Sequence, residues 1–593
     1  MRTVRDELEE RISAAMQKYA VGVGVCPAMV TRATDPKFGD YQANGVMALA
    51  KVIKADPVVT AKAVIRVVDF SDICQKWEVA GPGFVNLQLK PEFVADRLLE
   101  ISKDSANLGI DKTAHPKTIV VDFSCPNIAK PMHVGHLRST IIGDCICRLL
   151  EFLGNDVERQ NHIGDWGTQF GMLVAFIERR AAEALEGKVV GVIPSTLVEF
   201  EAFYREAKHL FDTDKDFAAR SREAVVGLHS GDKTWIGRWR QLVAQSVKHY
   251  QEVYDRLNVG LKRKDVRGES KYKDELPGVV KDLKERGVAQ ESDRAVCVFP
   301  PGFRNKEGQP LPFIIQKSDG AYLYATTDLA ALRYRVNELK ADAIIYVTDA
   351  RQKLHFEMLF ATARMAGWVS DDIELSHVMF GSVLGANGRP LKTRDGENVK
   401  LKELLDEAVE RARAVVEEKN PDLDEKKKAQ IAEAVGIGAV KYADYSNNRD
   451  SDYVFSFDKM LAMDGNTAPY MQYAYARIRS IERKAQPKGV HVEKELGGLT
   501  ELNLTEPAEI DLGKCLIRYG EAIQAAAANY RPNYLTAYLY ELAQKFSAFY
   551  TNCPVLDASP EKRPTRLLLC HLTAETIKHG LSELLGIQVV EQM

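Results

Sequence analysis

The segment CPNIAKPMHVGHLRST, residues 125–140, holds the most pointed arrangement of chemically able side chains in the chain. His133 and His136 stand three apart, so in a helical turn they share one face. The run KTIVVDFS just before it is short, apolar and β-rich. From residue 136 to 153 the apolar spacing turns helical, until Gly154 and Asn155 end it. The two imidazoles therefore sit where a strand hands over to a helix, at an N-terminus whose free N–H groups favour phosphate. There they can donate hydrogen bonds to the phosphates of a nucleotide. Gly135, lacking a side chain, lets a flat base approach the backbone, and Lys130 adds positive charge just ahead of the helix. The chemistry implied is the holding of ATP while charge moves across its phosphates.

Such a turn needs a rigid sheet beneath it. DVERQNHI, residues 156–163, reads as the next strand, which completes a βαβ unit of about 45 residues and implies parallel strands. The rhythm returns later. Residues 321–326 read as a strand, with Thr327 as N-cap of a helix to 340; 343–348 read as a strand, 354–366 as a helix and 373–380 as another strand. A charge-rich, mostly helical stretch at about 171–310 lies between. The expected fold is α/β, a Rossmann-type parallel sheet split by a mostly helical insertion, with ligands at the carboxyl edge of the strands.

Two further regions flank it. Residues 1–115 read as a separate α/β domain, with helical spacing at 4–19, a loop entering a helix at 38–51 and a turn feeding a strand at 79–89. Residues 464–593 read as all-helical, with a buried stripe of Leu535, Leu539, Leu542, Phe546 and Phe549; the polar stretch 486–504 reads as a loop. The catalytic stretch between them spans 116–463. Charges nearly balance, 80 Lys+Arg against 83 Asp+Glu, so any RNA contact must be local rather than a general basic field. The nine cysteines form no CxxC, which argues against a zinc cluster or a disulfide framework, and no metal site is expected. No apolar run reaches membrane-spanning length, and the acid-rich N-terminus is unlike a signal or transit peptide, so no membrane partner and a cytoplasmic location are expected.

The segment around His133 and His136 resembles the HIGH motif of class I aminoacyl-tRNA synthetases. With GDWGTQFGML, GESKY, DGAYLYATTDLAA, FGSVLG and APYMQYAYARIRS following in order, the whole chain is similar to the arginyl-tRNA synthetase family. The resemblance implies ATP-dependent attachment of L-arginine to tRNA(Arg) through an arginyl-adenylate, with ATP arriving as its Mg2+ complex, no DNA partner and a monomeric enzyme. The family's second ATP element, the KMSKS loop, matches PLKTRDGE at 390–397. Lys392 is then its retained lysine, and Lys130 supplies the charge of the absent one. By the same resemblance Asp122, Asp328 and the Tyr324 hydroxyl hold the substrate guanidinium, while Asn127 and Gln352 hold its α-carboxylate and α-amino group. A guanidinium is a flat fork of donors that pairs with carboxylates and keeps its charge, which suits paired acids. On their own, Asp122 reads as a strand-end acid and Asp328 as a helix-start acid. Cys125 departs from the family, which usually has serine there. In the helical region Tyr470, Tyr473 and Arg477 share a face, and with Tyr550 they are the tRNA-binding candidates, because unstacked bases lie on aromatic rings beside positive charge. Each could equally be core. A cysteinyl enzyme would need a zinc site, a nucleotidylyltransferase would not need the helical domain, and an inactive RNA-binding homologue would not need His133, His136, Lys130 and Lys392 together.

Overall fold

The computed structural model describes every residue of the chain except 21, 168, 187–190, 195–196 and 393–398. Two compact units emerge, and the first is discontinuous in sequence: residues 1–112, 462–583 and 588–593. Its antiparallel sheet contains β1 (Val30–Arg32), β2 (Tyr41–Ala43), β3 (Cys74–Ala80) and β4 (Phe84–Leu89) in the order β1-β2-β4-β3. The helix Val4–Tyr19 starts at an N-cap, Thr3, whose hydroxyl accepts from the Asp6 N–H, with Asp6 and Glu7 in the first turn. Ion pairs and hydrogen bonds join this sheet to the C-terminal helices of the same unit. Tyr41 donates to Glu521 at 2.7 Å, Arg32 meets Glu541 at 2.5 Å, and Lys514 meets Asp40 at 2.9 Å. The helix Pro532–Asn552 buries Leu535, Leu539, Leu542, Phe546 and Phe549, as its spacing predicts. The stretch 486–504 is not purely a loop, since it contains a short helix, Val492–Gly497.

The second unit, residues 113–461 with 584–587, contains the split sheet. β5 (Thr118–Asp122) leads through the 125–133 turn into the helix Val134–Phe152 and back into β6 (Asp156–Gln160). The insertion follows with the helices Gln169–Leu185, Leu197–Thr213, Lys215–Ser230, Lys233–Arg256 and Leu276–Glu285. It ends in a three-stranded antiparallel sheet of β7 (Ala289–Ser292), β8 (Ala295–Val298) and β9 (Phe313–Gln316). β10 (Ala343–Tyr346) and β11 (Glu374–His377) then complete a parallel sheet of order β11-β10-β5-β6. Residues Ile119 to Asp122 of β5 are buried, as expected for an inner parallel strand covered on both faces.

One expected strand is displaced. Residues 321–326 do not form one; the helix Tyr324–Asn337 begins there, with Leu323 rather than Thr327 as its N-cap. The strand is β9, which turns at Gly320 (φ +84°) so that Gln316 pairs with Tyr322 in an isolated bridge. The alternation read at 321–326 belongs to the end of that hairpin and the first turn of the helix. The change matters, because it places Tyr324 and Asp328 four apart on one helical face.

Candidate active site

The carboxyl edge of β5 is built to bend sharply. Ser124, Cys125 and Ala129 all take positive φ (73°, 47° and 62°), an arrangement that costs about 1–3 kcal/mol per residue and must be imposed by its surroundings. Here the insertion imposes it. Tyr250 of the helix Lys233–Arg256 donates to the carbonyls of Asn127 (2.6 Å) and Lys130 (3.1 Å). Ser246 accepts from the Ala129 N–H, and Tyr254 bonds Ser124 at 2.8 Å. Sequence reading assigned these three no role. Their spacing of four on one helix was visible, but not that this face clamps the turn.

His133 is the N-cap of the Val134–Phe152 helix. Its Nδ1 accepts from the Gly135 N–H at 3.1 Å, and its own N–H donates to Nδ1 of His136 at 3.1 Å. The two rings lie 4.0 Å apart between centroids. With both Nδ1 atoms accepting, both imidazoles carry their proton on Nε2 and present it as a donor. Burial pushes His136 down to about 3, with the neighbouring His133 adding to the effect; burial and then the Lys130 charge lower His133 as well. They are therefore neutral donors at physiological pH. Gly135 is exposed, and a Cβ there would come within 2.8 Å of the His133 ring, so any side chain would disturb the pair. The LRST that follows anchors the helix. Arg138 is buried against Asp444 (2.9 Å) and donates to the Gly381 carbonyl (2.7 Å), and Ser139 donates to the Val347 carbonyl (2.6 Å).

The acids divide differently from expectation. Asp122 does sit at the end of β5, but its Oδ2 accepts from Arg335 at 2.7 Å and its Oδ1 from the Cys125 thiol at 3.1 Å. Burial would raise its pKa, yet the Arg335 charge, with help from His162, holds it below the usual carboxylate range. Arg335 is fully buried and also donates to Gln160 of β6 (2.8 Å). Asp122 thus already has an internal guanidinium as its countercharge, beside the external one that the resemblance implies for it. Cys125 keeps the donor function of a hydroxyl, because burial and Asp122 push its thiol well up and leave it protonated.

Asp328 is half-buried and accepts from His355 Nε2 at 2.7 Å, with His162 Nε2 at 3.8 Å from its other oxygen. Near it lies a carboxylate that sequence reading missed. Glu269 is pushed up to about 8, first by burial and then by the charges of Asp328 and Asp165. Asp165 accepts from both the N–H and the hydroxyl of the neighbouring Ser270. A Cβ on Gly268 would stand 2.5 Å from the Asp165 carboxylate. GESKY was in view as a motif; what it lacked was a reason to single out its acid. Tyr324 opens the helix one turn before Asp328 and is 70% exposed. Asn127 is exposed and forms a bridge with Gly164, where a Cβ would meet its Oδ1 at 2.1 Å. Gln352 is exposed at the N-cap of the helix Lys353–Met365.

Lys130 is exposed, with its ammonium 5.2 Å from the ring centre of Tyr204. Lys392 is exposed beyond the Leu384–Pro390 bridge; the rest of the expected KMSKS-like segment, from 393 onward, lies outside the described residues. In the first unit Arg477 stacks between Tyr473 (5.0 Å) and Tyr550 (5.3 Å), and Tyr470 packs edge-on against Tyr540. Tyr550 is 39% exposed, whereas Tyr470, Tyr473 and Arg477 are half-buried.

A split parallel sheet whose first strand runs into this paired-imidazole turn defines a class I aminoacyl-tRNA synthetase. Residues 100–457 match the class I tRNA synthetase (R) catalytic domain, 471–593 the DALR anticodon binding domain, and 6–89 the arginyl tRNA synthetase N terminal domain. The chain is 48% identical over 591 residues to an arginine–tRNA ligase of Chromobacterium violaceum, covering 100% of both, and 48% identical over 589 residues to one of Hahella chejuensis, covering 99% of both. Among solved structures it is similar to arginyl-tRNA synthetase from Plasmodium falciparum (TM-score 0.83, 31% identity) and from Thermus thermophilus (TM-score 0.81, 25% identity), each with 100% of both chains covered. The chain belongs to the arginyl-tRNA synthetase family.

Proposed function

We infer that this site performs the reaction of its family, ATP-dependent attachment of L-arginine to tRNA. The substrate's carboxylate attacks the α-phosphorus of ATP, a bond to pyrophosphate breaks, and arginyl-adenylate forms. The terminal ribose hydroxyl of the tRNA then takes the arginyl group and releases AMP. Adenine lies over Gly135. The Nε2–H groups of His133 and His136 donate to the phosphates, and Lys130 and Lys392 supply charge from either side. Mg2+ enters as part of the ATP substrate. Preorganised donors of this kind act where charge develops, without rearranging during the step.

The guanidinium is taken by Asp328 and Glu269, with the Tyr324 hydroxyl, while Asn127 and Gln352 hold the α-carboxylate and α-amino group. Asp122 steadies the sheet edge behind them through Arg335. The observation that carries this reading is Glu269, a carboxyl that burial, and then the charges of Asp328 and Asp165, push up to about 8. A lysine side chain would leave part of that set unpaired, at about 1–3 kcal/mol per group, so rejection without editing is sufficient. Residues 1–115, 116–463 and 464–593 serve as tRNA-contacting, catalytic and anticodon-reading regions, and Tyr470, Tyr473, Arg477 and Tyr550 offer rings and charge to unstacked anticodon bases. The working form is a monomer in the cytoplasm; no helix among the described residues is long and apolar enough to cross a membrane.

The test is exchange of labelled pyrophosphate into ATP, with and without the tRNA. Arginine alone among the amino acids should support it. Exchange with another amino acid refutes the pocket, and no exchange under any tRNA condition refutes the ligase.

A further inference from the structure

The turn between β5 and the paired imidazoles is fastened at both ends by backbone. At its near end Asn127 bridges Gly164: the Ile128 N–H donates to the Gly164 carbonyl (3.1 Å) and the Gly164 N–H to the Pro126 carbonyl (3.2 Å). At its far end the Leu401 N–H donates to the Met132 carbonyl (3.0 Å) and the Val134 N–H to the Val399 carbonyl (2.9 Å). Between these fasteners Ile128 and Ala129 are buried, while Asn127 and Lys130 are exposed. The carbonyls of the two exposed residues converge on one atom, the hydroxyl oxygen of the buried Tyr250, at 2.6 Å and 3.1 Å. One hydroxyl shared between two acceptors ties them to a common point, so neither carbonyl shifts without lengthening its bond.

Tyr250 is carried on a fixed element. Ser246, one turn earlier on the helix Lys233–Arg256, accepts from the Ala129 N–H at 3.3 Å. The far end of that helix is pinned in turn: Arg256 meets Glu433 (2.8 Å) and Asp406 (2.5 Å), and the buried Lys441 ammonium donates to the Leu257 carbonyl (2.6 Å). The turn it holds contains the positive φ of Ala129, 62°, so a turn released from Tyr250 would relax to another course.

We propose that Tyr250 is a positioning residue for adenylate formation: its shared hydroxyl sets the separation between the arginine carboxylate, held at Asn127, and the phosphates of ATP, met by Lys130. This role rests on the assignment of those two side chains to the two substrates. Attack of the carboxylate on the α-phosphorus needs the reacting atoms about 3–3.5 Å apart, and a misplacement of about 1 Å can cost about 10²-fold in rate. Tyr250 bonds only to backbone carbonyls of the residues that hold the substrates, so it acts on the geometry of the pair and not on the affinity for either. It moves no proton. Burial, with Tyr254 adding to it, pushes the phenol well up and keeps it a donor.

The test compares Tyr250→Phe with wild type, using the full chain with the tRNA present throughout. Calorimetry reads the binding of three probes: arginine, ATP, and a non-reacting mimic of arginyl-adenylate in which a sulfamate joins arginine to adenosine. The mimic spans both subsites, so it alone reads their spacing. Tyr250→Phe should weaken the mimic about tenfold and lower the maximal rate of arginine-dependent pyrophosphate exchange about 10–100-fold, while KM and Kd for arginine and for ATP each change less than about twofold. A tyrosine with a merely structural role would weaken all three probes alike, or none. Either result overturns the proposal, as does a raised KM at an unchanged maximal rate. Ser246→Ala removes another bond to the same turn. It should shift the mimic and the rate in the same direction by about threefold, and it decides the matter should Tyr250→Phe fail to fold. A wild-type chain that gave no arginine-dependent exchange and bound no mimic would bring down the functional reading and this role with it. A wild type that did both, with Tyr250→Phe indistinguishable from it, would bring down the role of Tyr250 alone.

Discussion

If Glu269 takes the substrate guanidinium, arginine binding should release a proton. In the free enzyme burial, Asp328 and Asp165 push this carboxyl up to about 8, so near neutrality it is mostly protonated. A protonated carboxyl can offer a guanidinium one neutral acceptor; an ionised one adds a charge-assisted bond. Binding must therefore expel the proton, and affinity should rise with pH until the free-enzyme group is already ionised. The sign is fixed: a group whose pKa falls on binding favours the complex at higher pH. For a free value of about 8 the ionised fraction grows from roughly one part in eleven at pH 7 to about three-quarters at pH 8.5, so affinity should improve about eightfold over that range. Titration calorimetry across pH 6.5–8.5, in buffers of differing ionisation enthalpy, reads both the affinity and the number of protons released. That number should approach one at pH 7 and fall toward zero above 8.5. Glu269→Gln removes the titrating group and keeps its shape, so it should bind arginine more weakly and lose most of the pH slope. An affinity flat with pH in the wild type, or a slope unchanged in Glu269→Gln, would refute the assignment.

Other expectations follow from the same contacts. His136→Ala should lower the exchange rate by about 10²–10³, the worth of one preorganised donor, while arginine affinity holds, measured by exchange kinetics and calorimetry. Arg335→Met should cost about 3–5 kcal/mol in denaturant unfolding, because it strands the buried Asp122 carboxylate, and adding Asp122→Asn should restore much of it. Tyr550→Ala should weaken tRNA binding by about 1–3 kcal/mol, read by filter binding, without changing arginine or ATP affinity.

The sequence made legible what rests on local order. The paired histidines, the strand before them and the helix after them are contiguous, and their periodicities announce them; so does the buried stripe from Leu535 to Phe549. Contacts between distant segments were hidden. Nothing in residues 30–41 announces that their sheet shares a compact unit with helices beyond 462, because the link runs through pairs such as Arg32 with Glu541, separated by 509 residues. The clamp of Tyr250 and Tyr254 on the 124–130 turn is hidden for the same reason.

Asp122 and Glu269 show the limit most directly. Both are acids placed where an α/β sheet binds ligands, and residue type alone favours Asp122, which ends the central strand. What separates them is the presence of a countercharge. Arg335, an ordinary-looking arginine in the last turn of the Tyr324–Asn337 helix, turns inward and neutralises Asp122, whereas the charges that act on Glu269 are those of two further acids, Asp328 and Asp165. A buried carboxylate without an internal cation is costly unless the missing cation is the ligand. The specificity of such a site therefore lies less in which acids it contains than in which of them the fold declines to neutralise. That property depends on where every cation in the chain points, and it becomes visible only once the chain is folded.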